Sequence, residues 1–394
     1  MIQREIEPTL KQLIRRYPVV TVTGPRQSGK TTLCRAAFPD LAYFNLEQPN
    51  VREFAADDPL GFLRGCAGGA VIDEIQRVPE LVSYIQARVD EDPEPGSFVL
   101  TGSQQFRVVE SISQSLAGRT ALLRLLPLSL REAREAVEHA SIEEMIFTGF
   151  YPRIYHEHLD PTTALGDYFE TYIERDLRQI SEIRNLSSFQ RFVRLCAGRS
   201  GQLLNYQSLG NDAGVSHTTA RQWISVLEAS YVVFLLEPYF ANVSKRLVKS
   251  PKLYFYDVGL AAFLLGIEDS RQITTHPLKG PLFETLVVAE ALKHRFNRGR
   301  RSNLSFYRDS SGTEVDLLYR LANHLIAVEV KAGETVSRSH FRNLRKLREL
   351  LPDTISGEIL VHGGDDELNR NGTLVTGPGG FVPALEKLER LIVD

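Results

Sequence analysis

Val19-Val20-Thr21-Val22-Thr23-Gly24-Pro25-Arg26-Gln27-Ser28-Gly29-Lys30-Thr31-Thr32 is the stretch whose reading decides the fold. A β-branched run, a loop bounded by glycines and a helix-forming segment, Leu33 to Phe38, predict strand, loop and helix in that order. The pattern G-x-x-x-x-G-K-[ST] in this context predicts a phosphate cradle. Its glycines let the backbone curl so that amides face phosphate oxygens, and the helix N-terminus adds partial positive charge. Gly24, Pro25, Arg26, Gln27, Ser28, Gly29, Lys30, Thr31 and Thr32 are therefore the expected nucleotide-binding residues. Lys30 is expected to reach the β- and γ-phosphates of ATP, and Thr31 to ligate Mg²⁺.

Working outward, Gly69 to Ile72 predicts a strand ending in Asp73-Glu74, two carboxylates at the sheet edge where ligands gather. Asp73 is expected in the Mg²⁺ shell, and Glu74 is expected to polarise the attacking water. Phe98 to Leu100 predicts a third strand ending in Thr101-Gly102-Ser103, with Ser103 beside the γ-phosphate. Ser111 to Arg119 predicts a helix stopped by Gly118. It would leave Arg119 either to reach a neighbouring subunit's γ-phosphate or to make a surface ion pair; the first role implies a homo-oligomer.

Beyond this unit, Leu128 to about Ser188 is expected to be mostly helical, broken at Gly149-Phe150-Tyr151-Pro152, with Tyr172 to Arg178 as a charged face. Tyr206 to Asp212, a turn at Gly214 and a Ser216-capped helix from His217 to Ala229 predict helix-turn-helix. Tyr231 to Glu237 and Lys252 to Tyr256 would then form a wing around the basic Lys245 to Lys249. Thr218, Thr219, Arg221 and Gln222 are its candidates for facing nucleic acid, DNA more than RNA.

Pro281 to Lys293 predicts a helix carrying Glu284. Strands at 304–307, 315–319 and 325–330, a helix at 339–350 and a strand at 358–361 follow. A hairpin near Ala322-Asn323 would bring Asp316 beside Glu329, with Lys331 on the same side as Glu329. Asp316, Glu329 and Glu284 are expected to bind Mg²⁺ or Mn²⁺, and Lys331 to orient a nucleophile, a set suited to phosphodiester hydrolysis. Basic stretches at Lys293 to Arg301 and Arg338 to Arg348 would supply a local positive field. Gly363 to Gly380 is expected as a surface loop.

The 394-residue chain carries 46 basic and 49 acidic residues, so its net charge of −3 gives no global attraction for nucleic acid or an acidic membrane. No apolar run approaches a membrane span. Three separated cysteines suit a reducing compartment and core positions, and a cytoplasmic location is expected.

GPRQSGKTT, VIDEIQRVPEL, LTGSQQF, SLAGR, KRLVKSPKLYFYDVGLA, GPLFETLVVAE and EVDLLYRLANHLIAVEVKAG together resemble one family. It is the prokaryotic AAA+ ATPases whose C-terminal part resembles a winged helix plus a restriction-endonuclease-like fold of the PD-(D/E)XK type. The resemblance implies an α/β protein in four parts. These are an AAA+ P-loop domain with a parallel sheet (1–135), a helical lid or linker (136–188), a winged helix (189–270) and a nuclease-like α/β domain (271–394). It implies ATP hydrolysis coupled to a nucleic-acid-binding, DNA-cleaving module. The alternative is an ATPase switch whose distal domains only bind DNA or a protein.

Overall fold

β-Branched side chains fit a pleated sheet, and Val19–Thr23 forms β1, buried along its whole length. In the computed structural model, which describes residues 2–103, 115–174, 185–239 and 248–393, helix α1 (Glu7–Ile14) precedes β1 and helix α2 (Lys30–Ala37) follows it. β2 (Ala42–Asn45), β3 (Ala70–Asp73), β4 (Phe98–Gly102) and β5 (Thr120–Arg124) complete a parallel sheet of order β2-β3-β4-β1-β5. Apolar clusters cover both faces, as a parallel sheet requires. β4 lies between β1 and β3, so the polar end of β4 reaches both the loop after β1 and the carboxylates after β3.

Four short helices, Leu130–Arg134, Ile142–Thr148, Pro152–His156 and Pro161–Tyr168, follow. The first two carry complete Ser-x-x-Glu capping boxes. Helices α3 (Leu186–Ala197), α4 (Tyr206–Ala213) and α5 (His217–Ala229) come next. Gly214, with φ +76°, ends α4, and the Ser216 hydroxyl accepts from Thr219 N at 3.1 Å to begin α5. β7 (Val233–Leu236) pairs antiparallel with β8 (Lys252–Phe255), and β6 (Gln202–Leu203) flanks β8. Most of the expected basic tip, Lys245 to Leu247, lies outside the described residues, as do Gln104 to Gln114 and Arg175 to Arg184.

The long helix α6 (Lys279–Asn297) leads into β9 (Leu304–Arg308), β10 (Glu314–Leu321), β11 (His324–Lys331), helix α7 (Arg342–Leu350) and β12 (Ile355–His362). The hairpin turns at Ala322-Asn323, with Ala322 at φ +50°. Two expectations are corrected here. Residues 363–380 are not a plain loop, because β13 (Leu368–Arg370) and β14 (Thr373–Thr376) extend the sheet to β13-β14-β12-β11-β10-β9, and helix α8 (Pro378–Val393) begins within the stretch. Thr373, Val375 and Thr376 are buried, so that segment's polar composition marks a sheet edge.

The basic run after Ala291 also turns inward. Lys293, His294 and Arg295 are buried, with Lys293 bonded to Glu290 at 2.9 Å and to Leu128 O at 2.8 Å. Arg298 is spent on Glu386 and Glu389. The first part of this run therefore adds nothing to a surface field, whereas Arg300 and Arg301 at its end stay exposed, as do Arg338, Arg342, Arg345 and Lys346 around the start of α7. One apolar core runs from Leu126 to Leu385, joining the helical middle to the C-terminal sheet. All three cysteines are buried free thiols.

Candidate functional site: a nucleotide cavity and a buried carboxylate centre

Gly24, with φ +152°, approaches so near its neighbour that an added Cβ would lie 2.0 Å from Leu125 O. Gln27 and Gly29 also take positive φ, and the loop wraps the N-terminus of α2. Lys30 is buried, and its ammonium is held by the loop's own carbonyls, Pro25 O at 2.7 Å and Gly24 O at 3.0 Å. Burial pushes its pKa down to about 8, against the pull of Glu74 and Asp73.

At the end of β3, Asp73 Oδ2 accepts from Thr31 Oγ1 and from Tyr43 OH, each at 2.8 Å, and Oδ1 accepts from Thr101 Oγ1. A hydroxyl and a carboxylate this close form an oxygen-only pair that fits Mg²⁺. Glu74 is left-handed, φ +58° and ψ +48°, a backbone state rare outside glycine that bends the chain away from the strand. Its carboxylate accepts from Ser103 Oγ at 3.1 Å and from Gln76 Nε2.

These groups edge a cavity of about 850 Å³ walled by Arg4, Arg26, Gln27, Gly29, Lys30, Thr31, Thr32, Glu74 and Arg77, and across from them by Pro152, Arg153, His156 and Tyr172. The helical segment after the sheet thus roofs the cavity. Arg4 comes from ahead of β1 to grip the loop at Ser28 O, 2.6 Å, and the roof's root at Leu126 O, 2.7 Å. Arg119 lies elsewhere, half-exposed beside Asp90 at the start of β5, the sheet end opposite the cavity. Ser111 to Gln114 of its predicted helix lie outside the described residues.

Glu284, Asp316, Glu329 and Lys331 do come together. Lys331 Nζ is 2.8 Å from Glu329 Oε1 and 3.9 Å from Asp316 Oδ2, and Val330 N donates to Asp316 Oδ2 at 2.8 Å. Three further residues belong to the cluster: Lys252, Tyr254 and Glu314. Lys252 Nζ is 2.9 Å from Glu284, 2.6 Å from Glu314 and 3.9 Å from Asp316. Burial, then the Asp316 charge, pushes Glu284 up to about 7 and Glu329 up to about 8. Burial alone would lower Lys252, but Glu284, Asp316 and Glu314 outweigh it and hold it well above the usual lysine range. Glu329 Oε2 is buried without a hydrogen-bond partner. Lysines pair closely with Glu284 and Glu329, while Asp316 lies 3.9 Å from both Lys252 and Lys331. Among the described residues no group of three or more His, Cys, Asp or Glu is arranged to hold a metal ion.

Sequence reading missed Tyr43, Gln76, Thr101 and Arg4 at the nucleotide site, and Lys252, Tyr254 and Glu314 at the carboxylate centre. Gln76 and Thr101 sit two residues from named positions, on the same strand end or turn, which was the available signal. Arg4 and Lys252 carry none, since each reaches its site from a distant segment.

A parallel sheet with a phosphate loop after β1, a carboxylate pair after β3 and a polar β4 end between them defines a P-loop ATPase domain of the AAA type, and residues 16–134 match the family described as AAA domain. Residues 139–271 and 279–378 match two families described as domains of unknown function, DUF8612 and DUF4143. The chain belongs to one family with the uncharacterized proteins of Mycobacterium tuberculosis and Mycobacterium bovis, being 30% identical to each over 396 residues, 99% of this chain and 86% of theirs. It also shows a remote likeness to the Walker-type ATPase of Pyrococcus abyssi, with a TM-score of 0.43 and 14% identity over 67% of this chain and 96% of that one. Among the described residues no helix is long and apolar enough to cross a membrane.

Proposed function

We propose that this AAA-type ATPase hydrolyses Mg-ATP to switch how its middle and C-terminal parts engage DNA. The observation that carries the reading is the 2.8 Å contact of Thr31 with Asp73, where Thr31 lines one cavity together with Lys30 and Glu74. Amides of Gly24 to Thr32 and the Lys30 ammonium grip the phosphates, and Thr31 and Asp73 hold Mg²⁺. When bound, Mg²⁺ neutralises charge building on the transferred phosphoryl group. Glu74 accepts the proton side of the attacking water, while Ser103 and Gln76 fix its carboxylate. Arg119 starts β5 beside Val19, about 15 Å along the strands from the loop after Thr23. It can serve as a finger only toward another copy, so a homo-oligomer follows from that role.

DNA engagement is supported by the α5 face. His217, Thr218, Arg221, Gln222 and Ser225 are exposed on one side of a helix that follows a glycine turn, as in a winged helix. The exposed basic side chains around α7 add phosphate contacts. DNA cleavage by a nuclease-like C-terminal domain is a second reading, favoured by the convergence of Asp316, Glu329 and Lys331.

The test is Glu74→Gln. It should bind ATP yet turn over at least about 100-fold more slowly, and should lock labelled duplex DNA in one affinity state with ATP. Unchanged turnover, or DNA affinity indifferent to nucleotide, removes the switch. Adding Mg²⁺ or Mn²⁺ to linear, circular and single-stranded DNA decides the second reading: strand scission lost in Asp316→Ala and Lys331→Ala supports it.

A further inference from the structure

The carboxylate centre has a member that comes from the middle of the chain. Lys252 opens β8, and its side chain is only 2% exposed. Its ammonium meets Glu284 of α6 at 2.9 Å and Glu314 of β10 at 2.6 Å, with Asp316 at 3.9 Å, and it lies 5.4 Å from the centroid of the Phe306 ring. Tyr254, two residues on and so on the same face of β8, donates to the same Glu284 oxygen. The turn after α3 closes the other side: a Cβ on Gly201 would lie 3.7 Å from the Glu284 carboxyl atoms, and Ser200 Oγ meets Thr285 Oγ1 at 2.8 Å. Two stretches of the middle chain therefore cover Glu284.

A divalent cation bridging Glu284 and Asp316 would need oxygen contacts of about 2.1 Å for Mg²⁺. The Lys252 ammonium already stands between those carboxylates. Lys331 takes Glu329 Oε1 and Val330 N takes Asp316 Oδ2, which leaves Glu329 Oε2 without a partner and Asp316 Oδ1 facing the Lys252 ammonium at 3.9 Å. Opposite charges buried together must satisfy one another, since neither has water to fall back on.

We propose that Lys252 is the resident cation of this centre, so that the centre binds no divalent metal and instead fastens the β7–β8 pair to the C-terminal sheet. A second seam points the same way. Tyr239 N donates to Phe306 O at 2.7 Å and Phe306 N to Glu237 O at 3.1 Å, continuing β7 onto the edge strand β9. The proposal goes beyond the ATPase reading, does not depend on it, and is the opposite of the metal-dependent cleavage of the second reading, so the two stand or fall against each other.

The experiment titrates Mn²⁺ against the nucleotide-free full chain carrying Asp73→Asn, which silences the nucleotide site, and follows free Mn²⁺ by electron paramagnetic resonance. This parent should retain no Mn²⁺. Adding Lys252→Met should create one Mn²⁺ site, and Asp316→Asn should erase it again. Mn²⁺ held by the parent and released by Asp316→Asn or Glu329→Gln overturns the proposal. A folded Lys252→Met chain that gains no site overturns it equally. Should Lys252→Met fail to fold, Lys252→Gln takes its place and the parent's own titration still decides. Lys252→Arg should stay metal-free and melt above either neutral variant. ATP turnover, read in the chain with Asp73 intact, separates a failure here from a failure of the ATPase reading.

Discussion

Lys30 shows how much one side chain can encode. Buried beneath the loop carbonyls, its ammonium has a pKa lowered to about 8, and bound phosphates would raise it again. Below that pH the empty site is already protonated, and affinity for ATP is full. Above it, binding must take up a proton, so affinity should fall by about tenfold per pH unit until the bound-state pKa is reached. Calorimetry in buffers of different ionisation enthalpy should show proton uptake at pH 9 and none at pH 7; equal uptake at both would refute it. Lys30→Arg, charged throughout, should flatten the profile, whatever its affinity. Lys30, Thr31 and Asp73 were legible because their chemistry sits in contiguous motifs at strand ends. Tyr43 and Thr101 were not read as ligands of Asp73, because only the β2-β3-β4 strand order brings their hydroxyls onto its two oxygens. Arg119 was read as either a finger or a surface ion pair, and within one chain it makes the ion pair with Asp90.

Among the elements, the helix Val258–Leu264 shows what a cap does when it serves two segments. Asp257 accepts from Leu260 N at 2.9 Å, beginning that helix, and from Phe150 N at 2.7 Å, pinning the break after Ile142–Thr148. The two segments touch so closely that a Cβ on Gly259 would lie 2.3 Å from the Gly149 Cα. Asp257→Ala leaves two buried amides without acceptors and should cost about 2–4 kcal/mol, at roughly 1–2 for the cap and more for the orphaned donor. Urea unfolding should show the midpoint falling with an unchanged slope; a loss under about 1 kcal/mol would mean that water replaces the carboxylate. Helix and strand positions were largely readable from periodicity and caps. Composition misled at two of them. The run Lys293 to Arg301 reads as a basic patch, but α6 packs against Leu128 and α8, so Lys293 and Arg298 are paired internally and only Arg300 and Arg301 stay exposed. The Gly-rich 363–380 stretch reads as loop, but β14 finds a parallel partner in β12.

Across the whole molecule, the nucleotide loop is tied to the middle of the chain by one buried bond. Tyr231, itself at φ +57° just after α5, meets Thr23 Oγ1 through its hydroxyl at 2.8 Å, and Thr23 immediately precedes Gly24. Under the proposed switch, a shift of the loop on hydrolysis would reach the base of α5 and β7 through this bond. Tyr231→Phe keeps the ring packed and should cost only about 1 kcal/mol of stability. ATP turnover should persist while the nucleotide dependence of DNA affinity shrinks. Fluorescence anisotropy with ATP and ADP measures it, and a nucleotide response equal to wild type would show that coupling runs elsewhere.

Sequence alone determined the phosphate cradle, the carboxylate pair, the Ser216 cap and most strands, because each depends on residues within a few positions of one another. Tertiary structure alone decided which partners those groups meet. It seated Arg4 on the cradle, drew Lys252 into the C-terminal carboxylates and buried the start of a basic run that looked exposed. The physical reason is that a charge's role is set by what desolvates and neutralises it, and those neighbours arrive from segments far along the chain, where no local pattern records their approach.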